Sequence, residues 1–260
     1  MEILKIKAKK QFGQNFLNDE NIVKKIIDVI EPKNKKIIEI GPGQGALTKY
    51  LIQQAKEVHA FEIDNDMVEI LNSKFRINKN LNLFQQDFLK SDLKNYEDFE
   101  VVGNIPYNIS TDILFKLFNY RYNFKRVVLM VQKEYAQRMV AKFNSNEYSK
   151  LTLICNYLAK VKIEFYVNKK SFSPIPKVDS AIISLDFYQD KNDDYEQIRD
   201  FFKLCFLHRR KKLLTSLMTK YSKEKILSIY RKYNWNELIR IQELNLDQVL
   251  NLFKDLELDS

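Results

Sequence analysis

The chain has 260 residues, a formal net charge of +9, and only five glycines, two cysteines and two histidines. That length holds one large domain plus a small one, and the excess of cations favours a polyanionic partner, nucleic acid before membrane. No apolar run reaches the ~20 residues that span a bilayer. The basic stretch Met1 to Leu17 has no apolar signal core, and Cys155, Cys205, His59 and His208 are too few and too scattered for a metal cluster or a disulfide framework. These features predict a cytoplasmic protein in a reducing compartment, without a metal and without a membrane segment.

In chain order, a helix is predicted from about Asn21 to Ile30, with Ile22, Val23, Ile26, Ile27 and Ile30 on one side. Apolar runs at Ile37–Ile40, Val58–Ile63, Leu81–Phe84, Phe99–Val102 and Val127–Val131 then alternate with helix-period segments Leu47–Ala55, Met67–Phe75, Ile113–Phe118 and Tyr135–Phe143. That alternation predicts an α/β fold, βα units on a mostly parallel, Rossmann-like sheet. Two later strand-like runs, Val161–Val167 and Ala181–Phe187, flank Phe172 and are expected to form an antiparallel edge, for seven strands in all. The polar stretch Gln189–Asp194 marks a domain boundary, giving a catalytic domain over 1–188 and a small all-α domain over 189–260. In the latter, Phe201, Phe202, Leu204, Cys205, Leu207, Leu213, Leu214 and Leu217 recur at helical spacing. Nine cations lie between Arg209 and Lys232 against the single acid Glu224, so Arg209, Arg210, Lys211 and Lys212 are candidate contacts for an RNA backbone.

Three of the five glycines fall in Gly41-Pro42-Gly43-Gln44-Gly45, between the first strand and a helical stretch that opens at Ala46. In so glycine-poor a chain this marks a tight turn with close backbone approach to a ligand, at a helix N-terminus that favours a carboxylate or phosphate. Gly41, Gly43 and Ala46 fit the dinucleotide pattern, and Glu62 stands where an acid would take ribose hydroxyls. On the loop alone, NAD and S-adenosylmethionine are both open.

Asn104-Ile105-Pro106-Tyr107 follows the strand-like Phe99–Val102 and offers an amide, a proline-fixed carbonyl and an aromatic face at one strand end. That set suits an exocyclic nucleobase amine. Such a nitrogen is planar, and methylating it requires it to be drawn toward tetrahedral geometry. The Asn104 side-chain oxygen and the Pro106 carbonyl, each accepting one N–H, would favour that shape while Tyr107 stacks on the extruded base.

With these motifs in place, the chain resembles the ribosomal RNA adenine N6,N6-dimethyltransferases, in particular the KsgA/RsmA/Dim1 family. The strings that carry the resemblance cover nearly the whole chain: Lys10–Leu17, Glu39–Thr48, Gln86-Asp87, Asn104–Ser110, Val131–Glu134, Phe172–Ser180 and Arg209-Arg210-Lys211. The resemblance implies dimethylation, dependent on S-adenosylmethionine, of two adjacent adenosines near the 3′ end of 16S ribosomal RNA, with a role in small-subunit biogenesis, by a monomer. It implies Asp87 as receiver of the cofactor adenine amine, Phe88 and Ile63 as apolar walls, Gly41 and Gly43 near the methionine portion, and Asn15 and Leu17 in a segment folded over the cofactor. It also implies Phe172 as the ring facing Tyr107 across the target base. The other aromatics of the first string, Phe12 and Phe16, read as core.

Three other functions compete. An Erm-type 23S ribosomal RNA adenine methyltransferase shares Asn104–Ser110, but Gly13, the glycine loop, Lys177–Ser180 and Arg209-Arg210-Lys211 resemble the small-subunit branch. A non-catalytic ribosome-assembly or transcription factor is disfavoured by intact Glu62, Asp87, Asn104 and Tyr107. An NAD oxidoreductase lacks a hydride-transfer acid/base centre. Two positions depart from the family pattern, Ser149 in place of a glycine and Gln242 in place of a glutamate.

Overall fold

The computed structural model describes residues 8–189 and 194–257. Its strands and helices are, in order, β1 (Phe16–Leu17), α1 (Glu20–Ile30), β2 (Lys36–Ile40), α2 (Thr48–Gln54), β3 (Glu57–Glu62), α3 (Asn65–Phe75), β4 (Leu81–Gln85), β5 (Phe99–Asn104), α4 (Ser110–Asn119), β6 (Phe124–Gln132), α5 (Lys133–Met139), α6 (Lys150–Leu158), β7 (Ala159–Val167), β8 (Phe172–Ser173), β9 (Ser180–Phe187), α7 (Tyr195–Cys205), α8 (Leu213–Leu217), α9 (Lys223–Lys232) and α10 (Leu246–Glu257). The chain divides into two compact units, one of Met1–Ala136 with Lys160–Gln189 and one of Gln137–Ala159 with Asp190–Ser260. Of the polar stretch expected to separate two domains, residues 190–193 lie outside the described residues.

The first unit is built on a seven-stranded sheet in the order β4-β3-β2-β5-β6-β9-β7. Neighbours from β4 to β6 run parallel and β9 runs antiparallel to β6, as the sequence pattern predicted. Parallel strands joined by helical crossovers are covered on both faces and so read as continuous apolar runs. In β2, accordingly, every residue from Ile37 to Ile40 is buried, Glu39 included. The order reverses at β2, where the chain steps outward to β3 on one side and β5 on the other. In open α/β sheets such a switch point leaves a crevice at the carboxyl ends of the strands.

Helix α1 shows how the local sequence sets an element. The Asp19 carboxylate accepts the N–H groups of Asn21 and Ile22 at 3.1 and 3.3 Å, satisfying donors that the first turn leaves free. Val23, Ile26, Ile27 and Ile30 form its buried stripe. The two-residue strands β1 and β8 form a separate antiparallel pair, Phe16 opposite Ser173 and Leu17 opposite Phe172, too short to leave an alternating pattern. The helical period expected to run to Phe143 stops at Met139, and Asn144 turns the chain in a left-handed conformation, φ 66°.

In the second unit α6 packs against α7 and α10. Tyr157 meets Phe202 edge-on and Phe201 meets Phe253. The buried Tyr148 hydroxyl donates to the Leu244 carbonyl at 2.8 Å. Burial pushes that phenol well above its usual pKa. Ser149 caps α6 with φ −150°, an extended conformation open to any residue, and its N–H donates to the Thr152 hydroxyl at 3.0 Å. At the other departure from the family pattern, the Arg240 N–H is received by the Glu243 carboxylate at 3.0 Å, and the Gln242 carbonyl accepts the Asn144 N–H.

Candidate active site

The switch-point crevice is a cavity of about 370 Å³ in the first unit. Its walls come from residues 11–17, the glycine loop after β2, the end of β3, the turn after β4 and the Asn104–Ile109 segment after β5. Asn15, Leu17, Gly41, Gly43, Glu62, Ile63, Asp87, Phe88, Asn104, Pro106 and Tyr107 all line it. The acids on the wall are Glu39, Glu62 and Asp87, and no Lys, Arg or His is among the lining residues.

Gly41 adopts φ 63°, and a Cβ added there would meet nothing within 4 Å, because it would point into open space. Its N–H is bonded to the Phe61 carbonyl at 2.9 Å, which fixes the loop to the end of β3. Glu62 closes the same loop from below. One carboxylate oxygen accepts the Gly43 N–H at 3.0 Å and the other accepts the Asp64 N–H at 2.9 Å. A carboxylate offers about four lone-pair sites, so two remain. Burial raises the Glu62 pKa above its ordinary value, against the pull of these backbone N–H groups. One strand away Glu39 is 1% exposed and accepts the Thr48 hydroxyl at 2.8 Å. Burial, with Glu62 adding to it, pushes Glu39 up to about 8. Sequence reasoning treated Glu39 only as part of a motif, although an acid inside a fully apolar strand was a visible signal.

On the adjoining wall Asp87 spends one oxygen on the Leu89 N–H at 2.9 Å and is half-buried. Phe88 is buried beside it, while Ile63 is 48% exposed and offers an apolar face. The Asn104 side chain donates its Nδ2 to the Asn15 main-chain carbonyl at 3.1 Å. A carbonyl can only accept, so this bond fixes which end of the amide is which and leaves Oδ1 as the acceptor. The Pro106 carbonyl accepts the Ser110 hydroxyl at 3.0 Å and the Ile109 N–H at 3.3 Å. The Tyr107 hydroxyl and the buried Ser180 hydroxyl are 2.6 Å apart, which anchors the ring by its far end. Burial raises the Tyr107 pKa, Asp179 adding to the effect, so the phenol is a neutral hydrogen-bonding group here.

Phe172 is not brought to this wall. It is 3% exposed, sits opposite Leu17 in the β1–β8 pair, and belongs to the core cluster with Val167 and Ile182. Arg209, Arg210, Lys211 and Lys212 lie in the second unit, all exposed, in the turn before α8. The Arg209 guanidinium donates to the Asn146 carbonyl of the same unit.

The sequence matches the family model "Ribosomal RNA adenine dimethylase" over residues 5–258. A curated relative from Mycoplasmopsis synoviae (strain 53), the ribosomal RNA small subunit methyltransferase A, is 49% identical over 95% of this chain and 96% of its own length. Among solved structures, a dimethyladenosine transferase from Plasmodium falciparum superposes with a TM-score of 0.81 at 29% identity, covering 91% of this chain and 95% of the other. The 23S rRNA methyltransferase ErmE gives 0.74 at 26% identity, covering 94% of this chain and 100% of the other. With a family model spanning nearly every residue and the two halves of the site meeting in one cavity, this chain belongs to the ribosomal RNA adenine dimethylase family.

Proposed function

We propose that this protein dimethylates the N6 amines of two adjacent adenosines in the 3′-terminal hairpin of 16S ribosomal RNA, using S-adenosylmethionine, and serves small-subunit biogenesis as a cytoplasmic monomer. One observation carries the reading: the cofactor-type half of the site (Gly41, Glu62, Asp87) and the base-amine half (Asn104, Pro106, Tyr107) line a single cavity. Three acidic side chains, Glu39, Glu62 and Asp87, are on the wall, and no described lining residue is cationic. The wall suits a cofactor bearing a sulfonium and an ammonium, and it would repel the pyrophosphate of NAD.

The residues present fit that cofactor. Glu62 would use its two free lone-pair sites for the ribose hydroxyls, and the free oxygen of Asp87 would accept the adenine amine between Ile63 and Phe88. The open space at Gly41 admits the methionine portion, next to Gly43, which packs close to the Phe16 ring, with Asn15 and Leu17 closing over it. When bound, the cofactor supplies an electrophilic sulfonium methyl. Asn104 Oδ1 would accept one N–H of the target amine and draw the nitrogen toward tetrahedral geometry. The Pro106 carbonyl would take the other N–H by exchanging the Ser110 hydroxyl. Tyr107, held by Ser180, would stack on the base. A stack on Phe172 from the other side would require β1 and β8 to shift and uncover its ring. No strong base is needed, because the amine becomes acidic once methylated and its proton can pass to water. The first unit is the catalytic body in this reading, and Arg209, Arg210, Lys211 and Lys212 contact RNA phosphates.

The likeness to ErmE keeps a large-subunit substrate as the second reading. Methyl transfer from labelled S-adenosylmethionine to undermethylated small and large subunits, with primer extension across the small-subunit 3′ hairpin, separates the two. Stops at two adjacent adenosines of that hairpin are expected. Label confined to the large subunit would overturn the proposal.

A further inference from the structure

The segment ahead of β1 is fastened at three places. The Gln14 side chain is used at both ends: its Nε2 donates to Asp64 at 2.7 Å and its Oε1 accepts the Lys9 N–H at 2.8 Å. The Lys9 ammonium lies 2.6 Å from Asp64 and 2.8 Å from Asp66. Asp64 is 1% exposed, caps α3 by accepting the Asp66 N–H, and donates its own N–H to Glu62. Burial alone would raise the Asp64 pKa, but Lys9 and Gln14 together hold it below its ordinary value, so the anchor is an anion at neutral pH. One residue beyond Gln14, the Asn15 carbonyl receives Nδ2 of Asn104. Just ahead of Gln14, Gly13, at φ 61°, lies so close to the turn after β5 that an added Cβ would stand 2.7 Å from Asn108 Oδ1.

An amide has two ends of nearly equal shape and opposite hydrogen-bonding character. Rotated by half a turn, Asn104 would present an NH₂ to the incoming amine, donor against donor. Only an acceptor held on one side prevents this, and that acceptor is the Asn15 carbonyl. We propose that residues 9–17 form a positioning strap, in which Asp64 holds Gln14 so that the Asn15 carbonyl orients the Asn104 amide with Oδ1 toward the substrate. Gln14, Lys9 and Asp64 are positioning residues in this scheme, acting through Asn104. The inference rests on the reading of Asn104 Oδ1 as the acceptor, yet the strap itself can be observed without turnover.

The direct readout is the side-chain NH₂ pair of Asn104 in ¹⁵N-labelled protein without cofactor, assigned by its loss in Asn104→Ala. One of its two protons should be shifted downfield and protected from exchange. In Gln14→Ala that shift and protection should vanish and kcat should fall about tenfold, as for misplacement of a catalytic group. In the Asn104→Ala background the same Gln14→Ala change should alter kcat by less than about twofold, because residues acting through one another are not additive. Exchanging the polarity of the clamp, Gln14→Glu with Asp64→Asn, restores an N–H···O bond between the same positions and keeps a residue that caps α3 as well. It should recover both the NH₂ signature and kcat, which each single change lowers. An unchanged Asn104 NH₂ pair in Gln14→Ala, or equal losses of kcat in the two backgrounds, would overturn the strap. Wild-type turnover in Asn104→Ala, with the NH₂ pair responding as described, would instead overturn the proposed mechanism and leave the strap standing.

Discussion

Glu39 makes the stability of this fold fall as pH rises from acid to neutral, and the size of the effect follows from its surroundings. The carboxyl is 1% exposed, it accepts the Thr48 hydroxyl, and burial, reinforced by Glu62, raises its pKa from 4.5 to about 8. Below about 4.5 the group is protonated whether the chain is folded or not, and its full contribution to stability is present. Between 4.5 and about 8 the unfolded chain ionises while the folded chain holds its proton, so stability falls as pH rises, and above about 8 the loss is complete. At ~1.4 kcal/mol per pH unit the whole window is worth on the order of 5 kcal/mol. Glu39→Gln keeps the shape and an acceptor for Thr48 but removes the ionisation. For a domain of this size 1 kcal/mol moves Tm by about 2–4 °C. Cofactor-free Glu39→Gln should therefore melt within about 3 °C of the parent at pH 5 and about 10 °C above it at pH 9. Scanning calorimetry at intervals across that range measures the difference. The shift of Glu62 is common to both proteins and cancels to first order. Two curves of Tm against pH that stay parallel would refute the reasoning.

Glu62→Ala removes two charge-assisted ribose contacts worth ~1.5–3 kcal/mol each, so calorimetry should show the S-adenosylmethionine Kd rising about a hundredfold or more. Tm should fall as well, since the Gly43 and Asp64 N–H groups lose their acceptor; an unchanged Kd removes Glu62 from the cofactor site. Asn104→Ala should leave cofactor affinity within about threefold and lower single-turnover methylation about a hundredfold, whereas wild-type rates would end its role as acceptor. Reversing Arg209, Arg210, Lys211 and Lys212 to Glu should weaken small-subunit binding and flatten its dependence on salt, by about 0.7–0.9 in log–log slope for each phosphate no longer neutralised. Cofactor affinity should hold, and Tm should fall only by what the bond from Arg209 to the Asn146 carbonyl contributes, the four side chains being exposed. An unaltered salt slope in the folded variant would move the RNA footprint elsewhere, with the basic stretch Met1 to Leu17 the next to test; its Lys5 and Lys7 lie outside the described residues.

The parallel sheet was legible because strands covered on both faces become apolar runs, most clearly in β2 and β6, whereas β4 at the sheet edge reads Leu81-Asn82-Leu83-Phe84 with none of its residues buried. The cavity was legible because a chain with five glycines spends three of them after β2, and because the Asn104–Tyr107 string needs a ligand to explain its composition. The clamp from Lys9 and Gln14 to Asp64 left no such trace. Its partners are polar, aperiodic and 50 or 55 residues apart, and Asp64 reads from sequence as an ordinary helix cap, which it also is. The bond from Asn104 to Asn15 spans 89 residues and ends on a main-chain carbonyl, which carries no residue identity at all. Phe172 shows the opposite failure of inference from type. An aromatic at that position reads equally as stacking surface or core, and only its pairing with Leu17 across two short strands shows that it is buried here. Ser149 and Gln242 stood out as departures from a pattern, yet the backbone at 149 is extended and Glu243 supplies the carboxylate that meets Arg240.

Charge is divided within this chain in a way that composition alone conceals. The sequence carries +9 overall, while the cavity wall carries three acidic side chains and, among the described residues, no cation. A basic exterior raises the local concentration of RNA, and an acidic cavity inside it would exclude the phosphates and admit only a flipped, neutral base together with a cationic cofactor. Burial holds Glu39 up at about 8, so its share of this negative charge is withheld while no cation is present. A cation entering the cavity would draw the proton off Glu39, and binding should release protons to the buffer at neutral pH. In the proposed mechanism the positive charge would pass from sulfur to the amine nitrogen, where Asn104 Oδ1 would offer an oriented dipole to stabilise it until the proton departs to water. On the proposed reading the acids would serve the cofactor and the neutral amide the base. A carboxylate at 104 would hold the charged amine too well, and an amide at 62 would place a donor against one of the two backbone N–H groups that set the loop.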